Sequence, residues 1–386
     1  MGEPSRIKPD GRFVREVIGL GGDSVKKCFQ CATCSVTCPL ASDDKPFPRK
    51  EMLWTQWGLK DRLVSDPDIW LCHQCNDCSV QCPREAGPGN VLAALRNYSF
   101  GHYAYPGFMG RAFRDARFLP LLLAVPVLLF IILLSATGHL SIPDGEIVFK
   151  KFVPHTIVDP VFLVLVGLVF IAISVSLSRF WKAIRSSSGE GGPSIREVVK
   201  HSAVRSLVEF LAHKKFRDCG SSMARIVSHM AIVYGCLAYA LVTASIFIGT
   251  YGFDLETPLA LYHPLKIIAN GATLFVLAGC SLVIYRRVKG GKDVGNSSYL
   301  DWNLILLIVA VVVVGVLTEV TRLADAASAA YVFYFIHLVL VFYGIAYFPY
   351  SKLAHLLYRG LAVMYADYRV QAAGSADDER SWNGAA

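Results

Sequence analysis

"CFQCATCSVTCP", residues 28–39, returns almost unchanged as "CHQCNDCSVQCP", residues 72–83. Both stretches read C-x2-C-x2-C-x3-C-P, and together they hold eight of the 11 cysteines in a chain of 386 residues. So regular a spacing in so long a chain argues against a disulfide framework, which belongs to short secreted scaffolds. Three closely spaced thiolates can wrap one face of an iron–sulfur cubane, whereas a fourth followed by proline is directed away and, in two-cluster proteins, ligates the other cluster. The expected ligand sets are therefore Cys28, Cys31, Cys34 and Cys82 for one [4Fe–4S] cluster, and Cys72, Cys75, Cys78 and Cys38 for the other. Structural zinc is the alternative, since C-x2-C pairs also serve zinc. Zinc has no reason to ask twice for a third cysteine and for the trailing Pro39 and Pro83. His73, inside the second stretch, reads as a surface residue, with a hydrogen bond to the cluster environment as the alternative.

The residues around the motifs are polar enough for a soluble unit. "PRKEMLWTQWGLKDRLVSD" places Met52, Leu53, Trp57, Leu59 and Leu63 at mostly helical spacing, and "GNVLAALRNYSF" also reads as helix. No convincing strand alternation appears, so residues 1–105 are expected to form a small α-helical ferredoxin-type domain. The opening "MGEPSRIKPDGRF" has no apolar core of the signal-peptide kind, and Arg6 breaks a myristoylation pattern. This domain is therefore expected in the cytoplasm.

Hydrophobic residues make up 54% of the chain and charged residues 18%, which suits a membrane protein with a water-facing piece. After a basic approach through Arg111, Arg114 and Arg117, six apolar stretches follow near 119–138, 159–181, 226–249, 263–287, 300–321 and 331–350. Each has the ~20 residues that a hydrocarbon core of about 30 Å demands of a helix. The expected architecture is all-α: the ferredoxin-type domain, then a six-helix transmembrane bundle over 106–370, then a polar tail over 371–386. The loop from Arg179 to Arg225 carries Lys182, Arg185, Arg196, Lys200, Arg205, Lys214, Lys215 and Arg217, and the next loop on that side carries Arg286, Arg287, Lys289 and Lys292. "TYGFDLETPLALY" on the opposite side has no lysine or arginine. The positive-inside rule puts both termini in the cytoplasm, and the inner membrane is the expected location. The net charge of +8 is thereby largely topological rather than a footprint for nucleic acid. "IREVVKHSAVRSLVEFLAHKKF" reads as an interfacial helix, with a docking surface for a partner as the alternative.

Ionisable residues at membrane depth are expensive and usually functional. Four histidines lie in or at the ends of the apolar stretches: His229, His263, His337 and His355. His337 and His355 are 18 residues apart, about five turns and roughly 27 Å on one continuous helix, a distance that suits one haem in each leaflet. Two b-type haems need four imidazoles, so the expected pairs are His263 with His337 on the outer side and His229 with His355 on the inner side. His263 begins "HPLK" and could instead be the proton acceptor of a quinol site with Lys266 nearby. Glu319 and Asp325 either carry protons or face water. His139, His155, His201 and His213 read as solvated, and Cys219, Cys236 and Cys280 as structural.

"FIHLVLVFYGIAYFPYSKLAHLLYR", with "SHMAIVYGCLAYA" before it, resembles the cytochrome b subunit of respiratory nitrate reductase, a diheme quinol oxidase, over roughly residues 159–370. In that family the third helix supplies two histidines, whereas here Tyr239 stands near the second position and His229 alone remains. The front part resembles the iron–sulfur subunit of heterodisulfide reductase. The fusion resembles the membrane subunit of the quinone-interacting membrane-bound oxidoreductase complex of sulfate reducers. That resemblance implies menaquinone in the bilayer, soluble flavin-containing subunits as partners and electron traffic with adenylylsulfate reductase. The expected role is thus electron transfer between menaquinol and the cytoplasmic clusters. A heterodisulfide-reductase-type thiol/disulfide subunit shares every motif, and a redox-inactive membrane anchor carrying a ferredoxin domain is a reading of another class.

Overall fold

The computed structural model describes residues 8–43, 45–187, 192–212, 222–291 and 294–383, without side chains for Phe210, Ala212 and 372–383. The expectations for His213, Lys214, Lys215, Arg217, Cys219 and Lys292 fall outside these residues. Among the described residues the structure is helical throughout, and the one strand-like pairing is an isolated bridge between Ser42 and Lys45.

The cysteine-rich part is a set of short helices around one long one. Helices α1 (Gly11–Val17), α2 (Thr33–Thr37), α3 (Arg49–Gln56), α4 (Lys60–Val64), α5 (Asp68–Leu71) and α6 (Asp77–Val80) surround α7 (Pro88–Tyr103). Asp10 caps α1 by accepting the amides of Arg12 and Phe13, which would otherwise have no helical partner. Pro88 occupies the first turn of α7, where its missing N–H is harmless. Val91, Leu92, Leu95 and Tyr98 of α7 are buried against Phe13, Val17, Met52, Leu63 and Trp70. The core does not stop at this domain. The Trp70 ring stacks on Tyr358 with centroids 5.0 Å apart, and Phe180, Trp181, Ile184, Leu361 and Tyr365 from the membrane part complete the same cluster.

After α8 (Gly107–Arg114) come α9 (Leu119–Ala136), α10 (Phe149–Phe152), α11 (His155–Ser187), α12 (Ile195–Ala212), α13 (Met223–Gly252), α14 (Pro264–Lys289), α15 (Tyr299–Leu323), α16 (Ala327–Ala346) and α17 (His355–Asn383). Among the described residues six helices are long and apolar enough to cross a membrane: α9, α11, α13, α14, α15 and α16. They coincide with the six stretches read from the sequence. Pro126 lies inside α9 and is buried, so neighbouring helices cover the disturbed turn. Helices α13 and α14 approach closely: a Cβ on Gly235 would sit 2.4 Å from Val276, and one on Gly279 would sit 2.9 Å from the Ser228 carbonyl oxygen. Small residues at such a crossing are a common route to helix association in lipid.

One expectation changes. The last apolar stretch is not one helix through His355: α16 ends at Ala346, short 3₁₀ turns cover Phe348–Tyr350 and Lys352–Ala354, and α17 begins at His355. Pro349 lacks the N–H that a continuing helix would use, and the Ser351 hydroxyl takes the Leu353 amide instead. The turn arithmetic for His337 and His355 therefore does not apply. Helix α12 covers most of the stretch expected to be an interfacial helix. It lies along α17, with Val198 and Ser206 buried and the Ser206 hydroxyl donating to Asp367 at 3.0 Å, while Val204, Leu207 and Val208 stay exposed.

Candidate metal centres

The two cysteine stretches fold alike. Gln30 and Ala32 in the first have φ of 62° and 67°, and their counterparts Gln74 and Asn76 in the second have 54° and 72°. Such left-handed conformations cost non-glycine residues about 1 kcal/mol or more each. They turn each loop inward before the short helix that follows, so that its cysteines converge. One cavity, of about 340 Å³, is lined by Cys28, Cys31, Cys34 and Cys82. The other, of about 380 Å³, is lined by Cys72, Cys75, Cys78 and Cys38. Each motif thus contributes three cysteines to its own cavity and its last cysteine to the other.

The donor chemistry fits an iron–sulfur cluster. Four thiols face each space, and hydrogen-bond donors approach the sulfurs: the Gln74 amide to Cys72 at 3.3 Å, the Ala86 amide to Cys82 at 3.3 Å and the Gln30 side chain to Cys28 at 3.4 Å. Donors of this kind tune the potential of a bound cluster. Burial raises the thiols of Cys34 and Cys38 to about 11 and pushes Cys78 up as well. Thiolates here therefore need a metal's positive charge to be stable.

The two cavities differ in what surrounds them. Around the second, Arg359 of α17 donates to the carbonyls of Trp70, at 3.3 Å, and Cys72, at 2.8 Å, and lies 3.0 Å from His73 Nδ1. Arg225 of α13 donates to the His73 carbonyl. Arg96 ties the Ile69 carbonyl, at 3.0 Å, to Gln74, at 2.6 Å. His73 is accordingly buried, 8% exposed, and is not the surface residue that the sequence suggested. Around the first cavity Cys31 is exposed, and Phe29 at its rim is 67% exposed.

Arg359 lies one turn after His355, so the helix that clamps the Cys72 loop also carries a candidate haem ligand. His355 Nδ1 lies 2.6 Å from the Lys352 carbonyl oxygen, which can only accept; Nδ1 therefore holds the proton and Nε2 keeps its lone pair for a metal. Crowding by protein pushes its pKa down to about 4, and the charges of Lys352, Arg359 and the nearby His229 act in the same direction. It is a neutral imidazole, the form that iron takes. His337 is set in the same way, its Nδ1 3.1 Å from the Val311 carbonyl oxygen and its ring against Gly315, where a Cβ would sit 3.1 Å from it.

His263 is set the opposite way. It caps α14, its Nδ1 accepting the Leu265 amide at 3.3 Å. The proton of a neutral ring is then on Nε2, and no lone pair remains for iron. Near it, Lys266 bridges to Glu319 at 2.8 Å, and Glu319 is one turn beyond Gly315, where His337 packs. The engaged Nδ1 of His263 thus argues against it as the expected second ligand beside His337. The sequence reading named Lys266 and Glu319 separately and missed that they meet. It also missed Arg359 and Arg225, whose partners near Cys72 are far away in the chain.

Comparison with known proteins agrees with this two-part build. The model of the citrate utilization protein B family matches residues 109–376, more than half of the chain. The chain belongs to that family. The model of the 4Fe-4S dicluster domain matches residues 24–86, which hold both cysteine stretches. The same region resembles the C subunit of the H(2):CoB-CoM heterodisulfide,ferredoxin reductase of Methanothermobacter marburgensis, 35% identical over 103 residues, 27% of this chain and 54% of that protein. A protein of Archaeoglobus profundus that is itself described as like the C subunit of heterodisulfide reductase is 37% identical over 105 residues, 27% of this chain and 56% of that protein. The chain spans about half the length of the curated relatives it matches. No solved structure matches.

Proposed function

We propose that the chain is the membrane-embedded electron-transfer subunit of a quinone-linked oxidoreductase complex. In this reading Cys28, Cys31, Cys34 and Cys82 hold one [4Fe–4S] cluster, and Cys72, Cys75, Cys78 and Cys38 the other. His229 and His355 hold an inner b haem, and His337 is a ligand of an outer one. When bound, these groups supply single-electron exchange; the chain supplies their placement, their insulation and the handling of protons. The observation that carries the proposal is Arg359, which joins the helix of His355 to the Cys72 loop at 2.8 Å. It ties the helix that carries His355 to the loop of a cysteine cavity.

At the opposite end of the bundle, Lys266, Glu319 and His263 form a polar group that can hold a quinol, with Glu319 to accept one of its two protons and water to take the other. With its Nδ1 engaged, His263 presents Nε2–H to a quinone oxygen. Among the described residues one carboxylate oxygen of Glu319 has no hydrogen-bond partner, so it can accept a proton while the other stays with Lys266. The basic loops favour an orientation with the cysteine domain and both termini in the cytoplasm and this polar group on the far side. The resemblance of the fused architecture supports the finer parts: menaquinone as the membrane carrier, soluble flavin-containing subunits as partners and adenylylsulfate reductase as the distant electron acceptor. The names of the heterodisulfide reductase relatives favour a second reading, in which the soluble partners act on a heterodisulfide.

The visible spectrum of the dithionite-reduced, purified chain is the test. A b-type α-band is expected, lowered in both His355→Ala and His337→Ala and retained in His263→Ala. A spectrum without any haem band would leave only a membrane anchor with clusters.

A further inference from the structure

We propose that the mouth of the Cys28/Cys31/Cys34/Cys82 cavity is the docking face for a separate soluble electron-carrying protein with an acidic rim. The proposal deepens the electron-transfer reading and rests on it. The chain's own arginines tie the loop of the second cavity to the membrane part, whereas at the first cavity Cys31 is exposed. Phe29, which lines the first cavity, is 67% exposed, and two further apolar side chains that the fold does not use, Val36 at 88% and Val80 at 45%, each lie in the chain between a cysteine of this cavity and one of the other. Val36 and Val80 occupy equivalent positions in the two motifs, on helices α2 and α6, which pack together. Among the described residues the charged side chains that line this cavity are Arg49 and Arg84, and the Arg84 guanidinium lies 4.1 Å from the centre of the Phe29 ring. Exposed Lys26 and Lys27 lead directly into Cys28, and Asp23 and Glu85 are the exposed acids nearby in the chain.

An apolar centre with a mostly basic rim matches a partner whose own centre is apolar and whose rim is acidic. Such pairing speeds encounter and fixes orientation more than it adds affinity. The redox step is the loss of one electron by one protein and the gain of one by the other. No bond is made or broken, and no proton is required.

The probe is a reduced plant-type [2Fe–2S] ferredoxin, an acidic one-electron donor, mixed with the oxidised full-length chain; reduced methyl viologen, a small cation, serves as the control donor. Val36→Asp and Arg84→Glu are each expected to slow reduction by ferredoxin about tenfold at low salt. Both variants should react with methyl viologen as fast as the wild type or faster, and retain full iron content. Rising salt should slow the wild type and affect Arg84→Glu less. Ferredoxin rates unchanged in both iron-replete variants, or no reaction of the wild type with ferredoxin, would overturn the proposal. Re-oxidation of the ferredoxin-reduced wild type by a menaquinone analogue separates the two readings, because its failure would sink the quinone link and leave the docking result standing.

Discussion

The two cysteine cavities are built from the same pattern, with matching left-handed turns and an exchanged fourth cysteine, yet the loop of one is tied to the bundle while Cys31 of the other is exposed. The difference comes from outside the motifs. Arg359 and Arg225 reach the Cys72 loop from the membrane part, and among the described residues no contact of this kind reaches the Cys28 loop. Identical metal-binding loops thus acquire different electrical surroundings and different access. A relay between a membrane and a soluble partner needs such an asymmetry, because it must face both ways.

The largest expected effect tests the exchange of ligands. Cys38→Ala, a change in the first motif, should remove the cluster of the second motif and about half of the chain's iron; Cys82→Ala should do the converse. Iron analysis with electron paramagnetic resonance of the remaining cluster reads this. Loss of the cluster from the mutated motif's own cavity would break the scheme. Next, His355→Ala should abolish the inner haem and roughly halve the haem absorbance, because the proposed pair would be left with His229 alone. Retention of full absorbance would mean that the carbonyl-fixed ring serves packing alone.

Arg359→Gln should act on one cavity only. It removes charged hydrogen bonds to the carbonyls of Trp70 and Cys72, at a cost on the order of 2 kcal/mol. A cation beside a cluster favours the reduced form, so the potential of the membrane-facing cluster should fall while that of the other stays put. Equal shifts in both, read by redox titration, would remove the distinction between the cavities. The smallest effect concerns Glu51, which is fully buried beside Lys50 at 3.1 Å, near Asp66 and Asp68. Burial holds its pKa well above the usual carboxylate range, the charge of Lys50 opposes this, and Asp66 reinforces it. A raised folded pKa contributes stability that is complete below the unfolded value of about 4.5 and is lost as pH rises through the folded value. Glu51→Gln should flatten the decline in melting temperature between pH 5 and pH 8, with a net change of about 1 kcal/mol or less. A steeper decline in the variant would show that Glu51 stays ionised.

The features legible in the sequence were those written in local spacing. The cysteine motifs, the six apolar helices and the helical character of the front domain each depend on residues close together in the chain. The break between α16 and α17 was also written there, in Pro349, but the 18-residue interval between His337 and His355 fits five turns so well that the proline was easy to pass over. The setting of His263 was not legible. Which ring nitrogen carries the proton depends on a helix cap whose backbone geometry only the fold supplies. His73 and Arg359 were hidden for another reason, since their meeting joins segments 286 residues apart.

The central claim is that the membrane bundle communicates first with the cavity of Cys72, Cys75, Cys78 and Cys38. Re-oxidation of the dithionite-reduced protein by a menaquinone analogue, followed in the two single-cluster variants, tests it most directly. Cys82→Ala, which keeps the membrane-facing cluster, should be re-oxidised at the wild-type rate, and Cys38→Ala, which keeps the water-facing cluster, should be re-oxidised far more slowly. Equal rates in the two variants, or the reverse order, would contradict the account.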